Sequence, residues 1–168
     1  TVFNILGPFV NPASTKLQVI GVPSKTHLKL LPAVAQSLGY TRALIVHSED
    51  GMDEISTRAK THAVLISGKK STKITIDPQK LGFKKPSLNA LHGKDAAYNS
   101  GIIRNILNGE KGPQRDIVLL NTAAALFVSG AAQDIHSGIR KAAESIDSGH
   151  ARKVLEDLVV ATNAYKTL

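Results

Sequence analysis

The chain has 168 residues, 42% of them hydrophobic and 20% charged, which is enough for one domain with a real core and excludes a disordered polypeptide. It has no Cys, which excludes disulfides and thiolate chemistry and fits a reducing, cytoplasmic setting. A formal charge of +8 favours anionic partners such as phosphorylated metabolites or nucleic acid. The basic residues are scattered, however. The densest group, Lys69, Lys70, Lys73, Lys80, Lys84 and Lys85, reads as a solvated surface rather than a nucleic-acid site. No apolar run approaches the roughly 20 residues that span a bilayer, and no signal-peptide pattern opens the sequence.

Phe3 to Pro12 is apolar, with Gly7-Pro8 and Asn11-Pro12 as breakers, and predicts a short helical turn running into an irregular loop. Thr1-Val2-Phe3 enters this segment without a cap, as expected of a chain cut from something longer. Leu17 to Val22 reads as a strand. Lys25 to Leu38 reads as a helix, with Leu28, Leu31, Ala35 and Leu38 on one face and Gly39 at its end. Pro32 predicts either that the regular helix begins near Leu31 or that it kinks there. Arg42 to His47 is the next strand, buried and parallel to the first, so the three elements form a βαβ unit. Thr61 to Ser67 is a third strand. Gly68-Lys69-Lys70 turns it into Lys73 to Ile76, which alternates and is expected to be half exposed. Asp77-Pro78 ends that strand, and Leu81 to Gly93 reads as loop.

The remainder reads as helical. Asp95 is expected to cap a helix reaching about Asn108. Arg115 to Val128 is a strongly apolar helix that should be nearly buried, closed by Gly130. Asp134 to Asp147 is a third helix, and Ala151 to about Asn163 is a last one, with Leu155, Leu158 and Val159 on one face.

The stretch with most chemical content is His47 to Ser56. A β-branched strand stops at His47, Ser48 to Gly51 turn the chain, and the adjacent carboxylates Asp53 and Glu54 come next. In open α/β sheets ligands bind outside the carboxyl ends of strands. An acidic pair there can hold Mg²⁺ together with substrate phosphates; its plainer reading is a solvated turn. His47 fits packing or a hydrogen bond to the turn, with a catalytic role as the lesser alternative. The six His show no HxxxH or HExxH spacing. Ser67 to Ser71 faintly resembles the end of a P-loop but lacks the upstream Gly, and it precedes a strand. Asn4, Asn11 and Asn121 are amides inside apolar segments. Such groups mostly bond backbone, although Asn11 beside Pro12 could face a pocket.

Thr1 to Ala13, TVFNILGPFVNPA, resembles the signature of anthranilate phosphoribosyltransferases. So do His47 to Ser56, HSEDGMDEIS, and the helical pieces Leu120 to Ala125 and Ile146 to Gly149. Phe9, where an aliphatic residue is more usual, and Ser48-Glu49, where Gly is common, are mild departures. The resemblance covers the whole chain. It implies the nucleoside phosphorylase-like transferase fold: an α/β domain with a central mixed, mainly parallel sheet flanked by helices, and an all-helical C-terminal stretch. Residues 1–168 would be the C-terminal portion of one α/β domain, with residues 1–12 packing on a small helical domain from elsewhere in a longer enzyme.

The implied reaction transfers a phosphoribosyl group from phosphoribosyl pyrophosphate to anthranilate, in tryptophan biosynthesis. Asp53 and Glu54 would carry Mg²⁺, and Asn11 and Pro12 are candidate substrate contacts. The enzyme would be a cytoplasmic homodimer. The family's glycine-rich diphosphate loop, its Lys-His-Gly-Asn segment and an Arg contacting anthranilate would precede Thr1, so the chain alone is expected to be inactive. The alternatives are a relative that binds nucleic acid and a nucleoside phosphorylase of similar fold.

Overall fold

A computed structural model of the chain describes residues 5–164. Thr1 to Asn4, which include the first residues of the opening motif and one of the candidate amides, lie outside that range. Strands β1 (Leu17–Gly21), β2 (Arg42–Ser48), β3 (Thr61–Ser67) and β4 (Lys70–Ile76) form a four-stranded sheet in sequence order. Helix α1 (Lys25–Ser37) joins β1 to β2. Helices α2 (Ala96–Leu107), α3 (Pro113–Ser129), α4 (Ile135–Asp147) and α5 (His150–Ala164) come after the sheet. Gly7–Phe9 form a 3₁₀ turn, and two more such turns, Gln79–Leu81 and Leu88–Leu91, occupy the stretch expected to be loop.

The sheet is mixed, but its parallel share is smaller than expected. β1 and β2 pair in parallel, Leu17 opposite Arg42 through Gly21 opposite Val46. The β2–β3 and β3–β4 pairs are antiparallel. A crossover helix lies only between β1 and β2. The loop after β2 has its two ends bonded together at Glu49 and Lys60, so β3 returns alongside β2 in the opposite direction, and Gly68-Lys69 turn directly into β4, too short a link for a parallel pair. That hairpin also disposes of the P-loop likeness at Ser67 to Ser71. β4 begins at Lys70, earlier than expected, and is mostly exposed.

Period-2 alternation divides the core between two faces of the sheet. Ile20, Val22, Ala43, Ile45, Val64 and Ile66 pack with Leu28, Leu31 and Ala35 of α1. Leu44, Val46, Ala63 and Ile76 pack with Leu120, Ala124 and Val128 of α3, joined by Ile55 from the loop after β2. Complete burial of a side chain the size of Leu120 stabilises the fold by about 1.5–3 kcal/mol.

Helix α1 starts at Lys25, not near Leu31, because the Ser24 hydroxyl caps it, accepting from the His27 N–H at 3.4 Å. Pro32 sits inside the helix and is buried against the sheet, so its apolar contact offsets the missing N–H. Asp95 and Asp134 cap α2 and α4. Gly138 brings α4 onto α3, since a Cβ there would lie 2.8 Å from the carbonyl oxygen of Ala123. The buried guanidinium of Arg115 donates to both carboxylate oxygens of Asp147, at 2.7 and 2.9 Å, tying the start of α3 to the end of α4. α3 is less buried than its composition suggests. Val118 is exposed, because only one face of the helix meets the sheet.

α5 departs further from expectation. Its apolar face exists, but no residue of the helix is buried: Val154, Leu158, Val159 and Val160 are 67%, 57%, 46% and 70% exposed. Contiguous exposed apolar surface promotes association. The chain is therefore expected to associate with rising concentration in sedimentation experiments. Replacing Leu158 and Val160 with Glu should reduce that association while moving stability by no more than about 0.5 kcal/mol per site, as for other exposed positions.

Candidate functional site

Parallel pairing brings the carboxyl ends of β1 and β2 to one edge of the sheet, at Gly21 and Ser48. The chain leaving β2 crosses that edge before it returns into β3 at Thr61. The Ser48 N–H donates to the Met52 carbonyl at 3.0 Å and the Gly51 N–H to the Ser48 carbonyl at 3.1 Å, closing the turn. The Glu49 N–H donates to the Lys60 carbonyl at 2.9 Å, tying the two ends of the loop together.

The loop carries four carboxylates, and the structure sorts them. Glu49 bonds the ring Nε2 of His62 at 3.0 Å. Asp50 accepts from the Ser56 hydroxyl at 2.6 Å, with the Arg58 guanidinium 3.9 Å away. Burial alone would push the Asp50 carboxyl up. Hydrogen bonds from the Ser56 and Ser48 hydroxyls and from the Met52 and Asp50 backbone outweigh that and hold it below the usual carboxylate range. Asp53 and Glu54 are exposed, and neither carboxylate makes a hydrogen bond or ion pair among the described residues. Two acids therefore build the loop, and two are left facing outward.

The segment after the pair is anchored. Ile55, Ser56 and Thr57 are fully buried. Asn121 of α3 reaches across to Ile55. Its Oδ1 accepts from the Ile55 N–H at 3.0 Å, and its Nδ2 donates to the Ile55 carbonyl at 2.9 Å. The second Nδ2 hydrogen goes to the Ile117 carbonyl, one turn back on the same helix, at 3.0 Å. Ahead of the pair, the backbone of Asp53 lies against Gly21. A Cβ on Gly21 would stand 1.6 Å from the Asp53 carbonyl oxygen, so only Gly lets the loop pass over the end of β1.

His47 does not face this loop. It is buried, and its Nδ1–H donates to the Val22 carbonyl at 2.9 Å, extending the join between β1 and β2. Asn11 and Pro12 lie in an exposed turn, where Asn11 Oδ1 accepts from the Ala13 N–H at 2.9 Å. Among the described residues no three His, Cys, Asp or Glu side chains gather into a metal site. A cation at Asp53 and Glu54 would thus take the rest of its shell from water or a ligand. The sequence marked the acidic pair and the Asn121 amide. It did not mark Gly21, for which a Gly closing a strand beside a loop crossing would have been the signal.

A family model described as the a/b domain of the glycosyl transferase family matches residues 1–152. The chain belongs to this family. It is 42% identical to the anthranilate phosphoribosyltransferase of Petrotoga mobilis over 97% of its own length and 47% of that protein's. It is 46% identical to that of Clostridium beijerinckii, over 94% of its own length and 47% of the relative's. The chain thus spans about half the length of the curated relatives it matches. Among solved structures it resembles the anthranilate phosphoribosyltransferase of Saccharomyces cerevisiae in complex with PRPP and Mg, with TM-score 0.87 at 30% identity, covering 98% of this chain and 48% of that one. It also resembles the enzyme of Thermus thermophilus, with TM-score 0.84 at 34% identity, covering 95% and 47%.

Gly21→Ala should force the loop off the end of β1. The expected outcome is a loss of roughly 1–3 kcal/mol in chemical denaturation, as for other overpacked sites, with amide shifts concentrated at residues 49–56. An unchanged spectrum in that segment would show that the close approach does not shape the loop.

Proposed function

We propose that the chain supplies the Mg²⁺- and diphosphate-holding side of an anthranilate phosphoribosyltransferase. That enzyme joins phosphoribosyl pyrophosphate to anthranilate, giving phosphoribosyl anthranilate and pyrophosphate in the cytoplasmic synthesis of tryptophan. The observation that carries the reading is the sorting of the acidic loop. Glu49 and Asp50 are engaged within it, whereas Asp53 and Glu54 stand exposed and, among the described residues, without partners at the carboxyl ends of two parallel strands. That donor set fits Mg²⁺, a hard cation that commonly takes one or two carboxylates and completes its shell with phosphate oxygens and water. The relatives support the substrate class, and the yeast structure with PRPP and Mg supports the metal.

In this reading the oxygens of Asp53 and Glu54 would hold the cation, and buried Ile55 to Thr57 keep the two carboxylates from folding back. When bound, Mg²⁺ neutralises charge that develops on the departing pyrophosphate. Asn11 and Pro12 are the proposed substrate contacts. Residues 1–168 form one α/β domain, in which residues 1–12 pack on a small helical domain of a longer, homodimeric enzyme.

Asp53→Asn with Glu54→Gln keeps shape and removes charge. In an enzyme carrying this sequence the double variant should lower kcat by orders of magnitude at ordinary Mg²⁺ while leaving ligand-free thermal stability intact. Near-normal kcat would contradict the metal assignment. The 168-residue chain by itself should bind Mg²⁺-pyrophosphate weakly and give no turnover. Positioning by the rest of the site is worth roughly 7–11 kcal/mol in well-oriented reactions.

A further inference from the structure

We infer that Asn121 is the positioning residue of the acidic pair: an amide on helix α3 that sets where Asp53 and Glu54 stand. The inference rests on the metal reading above and adds to it a residue distant in sequence.

Peptide geometry supplies the reason. The Ile55 N–H belongs to the peptide plane that also contains Cα of Glu54. Asn121 Oδ1 accepts from that N–H, and Asn121 Nδ2 donates to the carbonyl on the other side of Ile55. One residue is thus held at both of its backbone groups, as a neighbouring strand would hold it. Glu54 is thereby fixed from its C-terminal side, and Asp53 is fixed by the approach of its carbonyl to Gly21. Reading a donor and an acceptor together requires a planar amide edge, which Ala, Ser or Leu lack. The remaining Nδ2 hydrogen, on the Ile117 carbonyl, locks the rotamer to its own helix. Asn is a poor residue for the interior of an apolar helix, and here its three hydrogen bonds all go to backbone groups. Freed from this hold, the two carboxylates would have to be ordered by the ligand, which costs affinity.

The test uses the 168-residue chain, with Asn121→Ala as the variant. Asn121→Asp, which keeps an acceptor for the Ile55 N–H and loses the donor, serves if the Ala variant does not fold. Leu119→Ala is the control, because Leu119 packs on the opposite side of α3 with Ile106, Ala142 and Ile146. Two readouts are taken: amide hydrogen exchange at Ile55 without metal, and calorimetric affinity for Mg²⁺ in the presence of inorganic pyrophosphate. The Asn121 variant should speed Ile55 exchange selectively and weaken the Mg²⁺-pyrophosphate affinity roughly tenfold, the equivalent of ordering about one residue. Leu119→Ala should do neither.

Unchanged Ile55 exchange would overturn the inference, and so would faster exchange with unchanged affinity, or equal effects from Leu119→Ala. If the unaltered chain shows no pyrophosphate-dependent Mg²⁺ binding, the metal reading fails by itself. The exchange readout then decides separately whether Asn121 holds the loop.

Discussion

The contact on which this structure turns is the pairing of one side-chain amide with one backbone residue. A loop that leaves a sheet at its ligand-facing edge would ordinarily be exposed and free to move. Here Ile55 is completely buried among Leu44, Val46, Leu120 and Ala124, and Asn121 satisfies both of its backbone groups. Burying that backbone without partners would cost free energy comparable to a lost hydrogen bond for each group. The amide makes the burial of Ile55 possible, and burial of Ile55 makes the acidic loop part of the core. Asp53 and Glu54 are exposed at the end of an anchored segment, not at the tip of a loose one.

The rest of the architecture serves the same edge. The β1–α1–β2 crossover places two strand ends side by side, Gly21 leaves room for the loop to cross, and His47 bonds the Val22 carbonyl to hold those ends together. α3 covers one face of the sheet, and Asn121 reaches from that helix to the loop. The Arg115–Asp147 pair and the close approach at Gly138 fix α3 against α4, so the residue that holds the loop is itself on a braced helix. The charge pattern within the loop is a consequence of this frame. Acids near the fold's own donors, Ser56 and His62, are drawn inward or sideways, and the two beyond their reach are left exposed.

Much of this was legible in the sequence, for physical reasons that differ by element. β2 and β3 announced themselves as runs of β-branched residues bounded by turns, and α2 and α4 by Asp caps with Gly or Ser-Gly ends. Three ordered motifs pointed to the family. Pro32 left the start of α1 open between Lys25 and Leu31, because a Pro inside a helix is tolerated where its ring is buried and Ser24 supplies a start. The parallel β1–β2 pair and the β3–β4 hairpin were readable, but the antiparallel return of β3 onto β2 was not, since it depends on where the loop comes back rather than on strand composition. The uncovered face of α5 was hidden for a similar reason: periodicity reports that a face is apolar, not that anything lies against it. Asp53 and Glu54 could be found as a pair, but nothing local separated them from Glu49 and Asp50. That distinction is made by Ser56, Arg58 and His62. The link from Asn121 to Ile55, 66 residues apart, exists only in the fold.

The central claim is that the fold presents Asp53 and Glu54, and not their acidic neighbours, to a metal held with a diphosphate. Paramagnetic broadening tests it most directly. Substoichiometric Mn²⁺ is added with pyrophosphate to the isotope-labelled chain, and the loss of amide signal is mapped residue by residue. The account predicts broadening centred on Asp53 and Glu54, weakened by Asp53→Asn with Glu54→Gln. Broadening centred on Glu49 and His62, or spread over the surface without regard to pyrophosphate, would contradict it.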